Sequence, residues 1–114
     1  MLNQIVLVGR LVTEPELNKT ENEKETARLV LAVPRSYKNK DGEYETDFIP
    51  CRTWGPIAQN TVEYCKKGDL IGIRGRIETR NFEVEDGKKY ITEVVAEKVT
   101  FLSTKKKEEP QESR

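Results

Sequence analysis

The chain has 114 residues, which suits one domain with a single core. Basic and acidic residues balance at 20 each, so a surface that binds a polyanion would need local clustering of cations. With no histidine and two cysteines, a zinc site is not expected; Cys51 and Cys65 are predicted to be buried free thiols, with a disulfide or a redox role as the alternatives.

The first segment, NQIVLVGRLV at residues 3–12, is apolar on both faces and predicts a strand. Gly9 predicts a bulge or bend, and the outer apolar face suggests burial against another subunit. The segment lacks the pattern of a signal peptide, and no stretch approaches the roughly 20 apolar residues of a membrane span, so a cytoplasmic location is predicted. The charged segment 13–25 predicts a loop.

The second strand is predicted at residues 27–37, with one side formed by Leu29, Leu31 and Val33. Pro34 should mark an edge, a bulge or the end of the strand. Asp41-Gly42 then predicts a hairpin.

The third strand, DFIPCRTWG at residues 47–55, has two different faces because side chains alternate along a strand. The inward row is small and mostly apolar, and consists of Ile49, Cys51 and Thr53. The outward row carries two aromatic rings and an arginine, and consists of Phe48, Pro50, Arg52 and Trp54. Such rings are costly to expose, so this row predicts an interface or a binding surface.

A helix is predicted in GPIAQNTVEYCKKG, residues 55–68, with Pro56 near its start and Gly68 past its end. Its narrow apolar face repeats at helical spacing in Ala58, Thr61, Val62 and Cys65. Lys66 and Lys67 are predicted in the last turn, where the helix dipole favours cations.

The fourth strand is predicted at residues 69–82, with Gly72 and Gly75 permitting bends and an inward row formed by Ile71, Ile73 and Ile77. Asp86-Gly87 predicts a hairpin into the fifth strand at 88–102. The polar, aperiodic segment 103–114 is predicted to be a disordered tail beyond a domain at 1–102.

This order predicts an all-β fold with one short helix: strand, strand, strand, helix, strand, strand. It is the connectivity of the OB-fold, a five-stranded Greek-key barrel. The pattern would also allow an open sheet with one packed helix.

Aromatic side chains stand among cations on the outward positions. The fourth strand carries Arg74, Arg76, Arg80 and Phe82 on its even positions, interrupted by Glu78. Tyr37 ends the second strand, before Lys38. Rings that receive bases and cations that follow phosphates are typical of single-stranded nucleic-acid binding with little sequence preference.

Two other interpretations stay open. The rings could belong to the core or to a subunit contact, and Arg74 and Arg76 could pair with Glu93 or Glu97 across the strands. The same face could serve an OB-fold protein-interaction module of a replication assembly. An enzyme is not predicted, because histidine is absent, the acids cluster in expected loops and there is no glycine-rich phosphate cradle; no cofactor is expected either.

The chain resembles the bacterial single-stranded DNA-binding proteins over residues 1–102. The resemblance lies in NQIVLVGRLVTEPEL, EYCKKGDLIGIRGRIETRNFE and GKKYITEVVAEKVTFL. Within these, Glu14-Pro15-Glu16 matches the family's acidic turn, Lys67-Gly68-Asp69 its turn after the helix, and 75–82 its arginine- and aromatic-containing strand.

The resemblance implies an OB-fold subunit of a homotetramer that wraps single-stranded DNA in replication, repair, recombination or DNA uptake, in the cytoplasm with the nucleoid. Its stacking aromatics fall on Tyr37, Phe48, Trp54 and Phe82. Lys67 and Arg80 match phosphate-contacting positions, and the outward pattern adds Arg10, Arg35, Lys38, Arg52, Arg74 and Arg76. RNA binding stays open, because stacking does not read the sugar.

The sequence departs from the family at several positions. Only Trp54 is a tryptophan among the four aromatics, and Pro50 and Pro56 replace residues that are often basic. The end, KKKEEPQESR, lacks the acidic tip with a terminal phenylalanine that recruits repair and replication enzymes in longer members. The resemblance is therefore to the short form of the family or to a chain cut before such a tip, and no recruitment through the tip is expected.

Overall fold

A computed structural model describes residues 1–104. Within them, six strands and one helix follow as β1 (Ile5–Leu11), β2 (Leu17–Lys19), β3 (Glu25–Lys38), β4 (Tyr44–Trp54), α1 (Gly55–Tyr64), β5 (Leu70–Val84) and β6 (Gly87–Ser103). No helix among these residues has the length and apolarity needed to cross a membrane. The predicted tail lies outside the described residues beyond Thr104, and its first residue, Ser103, still belongs to β6.

Five of the strands close into a barrel. The sheet runs in the order β1–β5–β6–β4–β3, and β1 also pairs with β3, so the sheet returns on itself. At the closing point, Arg10 of β1 lies opposite both Leu70 of β5 and Ala32 of β3. With α1 between β4 and β5, this confirms the predicted OB-fold connectivity and rules out the open sheet.

The short strand β2 departs from the predicted loop. It pairs antiparallel with the start of β3, where Leu17 lies opposite Ala27. A strand of three residues is too short to show the apolar alternation on which the prediction relied. β2 extends the sheet beyond β3 and takes no part in closing the barrel.

The barrel interior is lined by alternate residues of the strands. Leu29 and Leu31 of β3, Cys51 of β4, and Ile71 and Ile73 of β5 are buried, as their alternation predicts. Burying one such aliphatic side chain stabilises a fold by about 1.5–3 kcal/mol. The thiols of Cys51 and Cys65 are both buried and free, which confirms that prediction.

Two glycines permit close approach of neighbouring strands. A Cβ at Gly75 would lie 2.0 Å from the Val95 carbonyl oxygen, beside a register shift in the β5–β6 ladder that matches the predicted bend. Gly9, in contrast, lies in a regular stretch of the β1–β5 ladder, so the predicted bulge is absent there. A Cβ at Gly9 would lie 2.6 Å from the Ala32 carbonyl oxygen, so glycine serves the contact of β1 with β3.

Ile77 has the predicted inward orientation, because it lies opposite the buried Val94, but it is not buried. The residue is 41% exposed because the β1–β5 ladder, and with it the closed barrel, ends at Gly75, before β5 continues into a long hairpin with β6. The side chain of Asn3 holds the backbone there: its amide donates to the Ile77 carbonyl and accepts from the Ile77 N–H, both at 2.9 Å.

The predicted end of the helix is wrong. The helix stops at Tyr64, so Lys66 and Lys67 lie in the following turn and not in its last turn. The buried carboxylate of Asp69 accepts the Lys66 N–H at 2.8 Å, and the Asp69 N–H donates back to the Lys66 carbonyl at 3.0 Å. This reciprocal pair replaces helical hydrogen bonds and directs the chain into β5.

Candidate nucleic-acid interface

The two rows of β4 have the predicted orientations. Cys51 and Thr53 are fully buried, whereas Phe48 points outward with 62% of its surface exposed. Arg52 and Trp54 are half-buried on the same outward side. The exposed ring of Phe48 is therefore not a core residue of this subunit.

The register of the sheet extends this outward row across the barrel, because residues opposite each other in a ladder point to the same side. Arg10, Ala32 and Phe48 form one line across β1, β3 and β4. A second line crosses β3, β4, β6 and β5 through Arg28, Arg52, Val95 and Arg76. We call this continuous surface the outer face.

The β5–β6 hairpin continues the outer face away from the barrel. Successive pairs on this side are Glu78 with Glu93, Arg80 with Ile91, and Phe82 with Lys89. The ring of Phe82 is 44% exposed, so it too stands free of the core. The outer face thus carries both a barrel portion and a hairpin portion.

The β3–β4 hairpin carries a further group of predicted residues. Tyr37 is exposed, and it lies where the β3–β4 register shifts between Pro34 and Lys38. This shift confirms the predicted irregularity after Pro34. The Lys38 ammonium lies 5.7 Å from the ring centroid of Tyr44, within the range of a cation–π contact.

Arg35 is held by two carboxylates of β4. Its guanidinium donates to both oxygens of Asp47, at 3.0 and 2.9 Å, and to Glu45 at 3.2 Å. The hydrogen bonds to Asp47 raise the pKa of Arg35, and the same contact lowers the pKa of Asp47. Arg35 is therefore not a free cation in this structure.

Four arginines of the predicted site differ in their ion pairs. Arg52 and Arg80 share the carboxylate of Glu93, with the Arg80 Nε at 3.0 Å and the Arg52 Nε at 3.5 Å from the same oxygen. Arg76 pairs with Glu97 at 2.7 Å and Glu78 at 2.8 Å, and these hydrogen bonds raise its pKa. Arg74 lies opposite Val6 and Lys98, and no carboxylate of residues 1–104 forms an ion pair with it.

Trp54 is placed by the junction of β4 and α1. It is the last residue of β4 and the N-cap of α1, with Pro56 in the first helical positions, where a missing N–H costs nothing. The Arg52 guanidinium carbon lies 5.9 Å from the centroid of its ring. The ring therefore stands beside a cation at the edge of the outer face.

Arg10 and Lys67 meet at a different place. The Arg10 guanidinium donates to the Gly68 carbonyl at 3.0 Å, and the Lys67 N–H donates to Glu14 at 3.1 Å. These two cations thus flank the turn after α1, whereas Arg52, Arg76 and Arg80 gather between β4, β5 and β6.

Two residues of the outer face, Arg28 and Tyr44, were not among the predicted site residues. Arg28 lies directly opposite Arg52, and its alternation with the inward Leu29 was a signal for it. Tyr44 is exposed and lies on the same side of β4 as Phe48, again by alternation. That Arg28 lies beside Arg52 could be known only from the register.

Comparison with known proteins gives the class and then the family. The structure superposes with a TM-score of 0.78 on a Plasmodium falciparum protein, described as "SSB complex with ssDNA", at 23% identity over 90% of this chain and 96% of that one. It superposes with a TM-score of 0.75 on a deletion mutant of the single-stranded DNA binding protein from Thermus aquaticus, at 29% identity over 90% of this chain and 51% of that one. The fold is that of these OB-fold proteins.

The profile of the Single-strand binding protein family matches residues 2–102. The chain is 47% identical to Single-stranded DNA-binding protein B of Bacillus subtilis over 95% of this chain and 96% of that protein. It is 50% identical to Single-stranded DNA-binding protein 3 of Listeria innocua over 92% of this chain and 66% of that protein. The chain belongs to the Single-strand binding protein family.

Proposed function

We propose that this protein binds and protects single-stranded DNA with little sequence specificity, and that it does so without catalysing a reaction. One observation carries the proposal: aromatic rings and guanidinium groups lie together on a single continuous outer face. A base stacked on an aromatic side chain contributes about 1–3 kcal/mol, whatever the base. The names of the relatives support the same function.

The proposed site consists of a stacking set and a phosphate set. Bases stack on Tyr37, Phe48, Trp54 and Phe82. Phosphates are neutralised by Arg10, Arg35, Lys38, Arg52, Lys67, Arg74, Arg76 and Arg80. The register supports adding Arg28 and Tyr44, because they share the outer face with Arg52 and Phe48.

We further propose that the protein acts as an oligomer, namely a homotetramer. Support comes from β1, whose outward Val6 and Val8 are 69% and 48% exposed although apolar. Gly72 lies opposite Val8 and leaves that part of the sheet flat, next to the exposed Leu102. Sedimentation of the native chain tests this: a tetramer that dissociates in Val8→Glu is expected, and a monomeric native chain would refute it.

The proposed biological setting is the cytoplasm, with the nucleoid, in replication, repair, recombination or DNA uptake.

The proposed binding to single strands is tested by the anisotropy of labelled oligo-dT titrated with the protein, in competition with unlabelled single strands or duplex. We expect saturable binding that single strands displace and duplex does not. Equal displacement by duplex, or the absence of binding, would contradict the proposed function and favour a protein partner for the outer face.

A further inference from the structure

A buried carboxylate lies beneath the cations of the outer face. Glu93 is 7% exposed and comes from β6, directly opposite Glu78 of β5. Carboxylates are seldom buried to this extent without a partner, because desolvation penalises the charged form. Its partners are the guanidinium groups of Arg52 and Arg80.

Arg52 and Arg80 reach the same oxygen of Glu93 from two strands, one from β4 and the other from the β5–β6 hairpin. Arg52 is further held by its Nη1, which donates to the Thr26 hydroxyl at 3.3 Å. The Arg52 guanidinium that these contacts hold lies against the Trp54 ring. Glu93 thus connects the barrel and hairpin portions of the outer face and fixes a cation beside its tryptophan.

We propose that Glu93 is a positioning residue for DNA binding: it holds Arg52 and Arg80 on the outer face and cancels one of their two positive charges. This inference rests on the proposed function. Because these arginines already share a carboxylate partner, they neutralise fewer phosphates than two free cations would, and fewer of the counterions condensed on the DNA are released.

The same compensation extends beyond Glu93. Four of the eight proposed phosphate-binding cations, Arg35, Arg52, Arg76 and Arg80, form ion pairs with five carboxylates: Glu45, Asp47, Glu78, Glu93 and Glu97. The other four are Arg10, Lys38, Lys67 and Arg74, and within residues 1–104 no ion pair holds them.

The wild-type chain gives the first test. Each phosphate contact on a single strand contributes about −0.7 to the slope of log K against log salt concentration. Arg28 is a ninth cation of the outer face and likewise forms no ion pair within residues 1–104. These five free cations, together with the one charge that Glu93 leaves on Arg52 and Arg80, predict a slope of about −4, whereas nine free cations would predict about −6. The steeper of these two slopes would overturn the inference and leave the proposed function intact. The absence of binding to oligo-dT would instead refute the proposed function.

Glu93→Gln tests the residue itself. The amide has the same shape as the carboxylate but carries no charge, so we expect tighter binding at low salt and a slope steeper by about 0.7. Glu63→Gln, on the exposed surface of α1, removes the same charge elsewhere and should keep the wild-type slope. A folded Glu93→Gln with the wild-type slope would overturn the inference.

A measurement without DNA reads the charge next to the single tryptophan. Iodide is an anionic quencher of Trp54 fluorescence and acrylamide is a neutral one. The ratio of the iodide to the acrylamide quenching constant therefore rises with positive charge near the ring. In Glu93→Gln we expect a higher ratio than in the wild type, and in Glu63→Gln the wild-type ratio. An unchanged ratio in folded Glu93→Gln would mean that Glu93 does not control the charge beside Trp54.

Discussion

The two sides of the β3–β4 pair differ in chemistry although their residues alternate along the same strands. The inner side presents Leu29, Leu31, Cys51 and Thr53, all fully buried. The outer side presents Arg28, Phe48, Arg52 and Trp54, all exposed or half-buried. We therefore expect the inner side of this strand pair to determine stability and the outer side to determine DNA binding, so substitutions should separate the two effects.

The largest expected effect is on the inner side. Leu31→Ala removes a fully buried side chain of the core and should lower the free energy of unfolding by about 2–5 kcal/mol. Denaturant unfolding measures this. Affinity for oligo-dT should stay at the wild-type value wherever the variant is folded; weaker binding by the folded variant would break the division between the two sides.

The next effect belongs to the outer side. Trp54→Ala should weaken oligo-dT binding by about 1–3 kcal/mol if the ring stacks a base. Titration by anisotropy measures it, with circular dichroism as the check of folding. Tyr64→Ala is the matched control, because Tyr64 is an exposed ring on α1 outside the outer face. Equal losses in both variants would show that Trp54 has no special role.

A smaller effect separates two arginines of β5. Arg74→Gln removes a cation without an ion pair among residues 1–104, so the salt slope should become shallower by about 0.7. Arg76→Gln should change the slope less, because Glu78 and Glu97 already compensate Arg76. Salt titrations of both variants give the comparison; a larger change in Arg76→Gln would contradict it.

A separate effect concerns alkaline pH and the inner side. Burial raises the pKa of Cys51 from 9.0 to about 12. A raised pKa means that the folded state keeps its proton longer than the unfolded state, so the stabilisation is complete below pH 9 and is lost as pH rises toward 12. The stability of the wild type relative to Cys51→Ala should therefore fall over this range in denaturant unfolding. A constant difference would show that the thiol titrates alike in both states.

Much of the fold could be predicted from two local rules: side chains alternate along a strand, and Asp-Gly pairs mark hairpin turns. Alternation placed Cys51 and Thr53 inward, and the Asp-Gly pairs at 41–42 and 86–87 mark the β3–β4 and β5–β6 hairpins. The errors arose where tertiary context decides. Ile77 follows the inward alternation but lies beyond the end of the barrel, and the chain leaves the helix after Tyr64 because of hydrogen bonds with Asp69.

The residues of the candidate site could be predicted from the sequence, but the ion pairs between its arginines and glutamates could not. Alternation identified Phe48, Arg52 and Trp54 as outward before any register was known. Which glutamate meets which arginine depends on the register shift at Arg74–Gly75, which no local pattern reveals. Of the pairings that the sequence left open, Arg76 with Glu97 is present, whereas Glu93 pairs with Arg52 and Arg80 and not with Arg74 or Arg76.

The most direct test of the central claim is the fluorescence of Trp54 during titration with oligo-dT, at low and at moderate salt. Trp54 is the single tryptophan, so any change reports on one position of the outer face. We predict saturable quenching whose midpoint rises with salt, with a stoichiometry that gives the number of nucleotides bound per subunit. Binding of oligo-dT with no change in Trp54 fluorescence would contradict the claim that bases stack on this face.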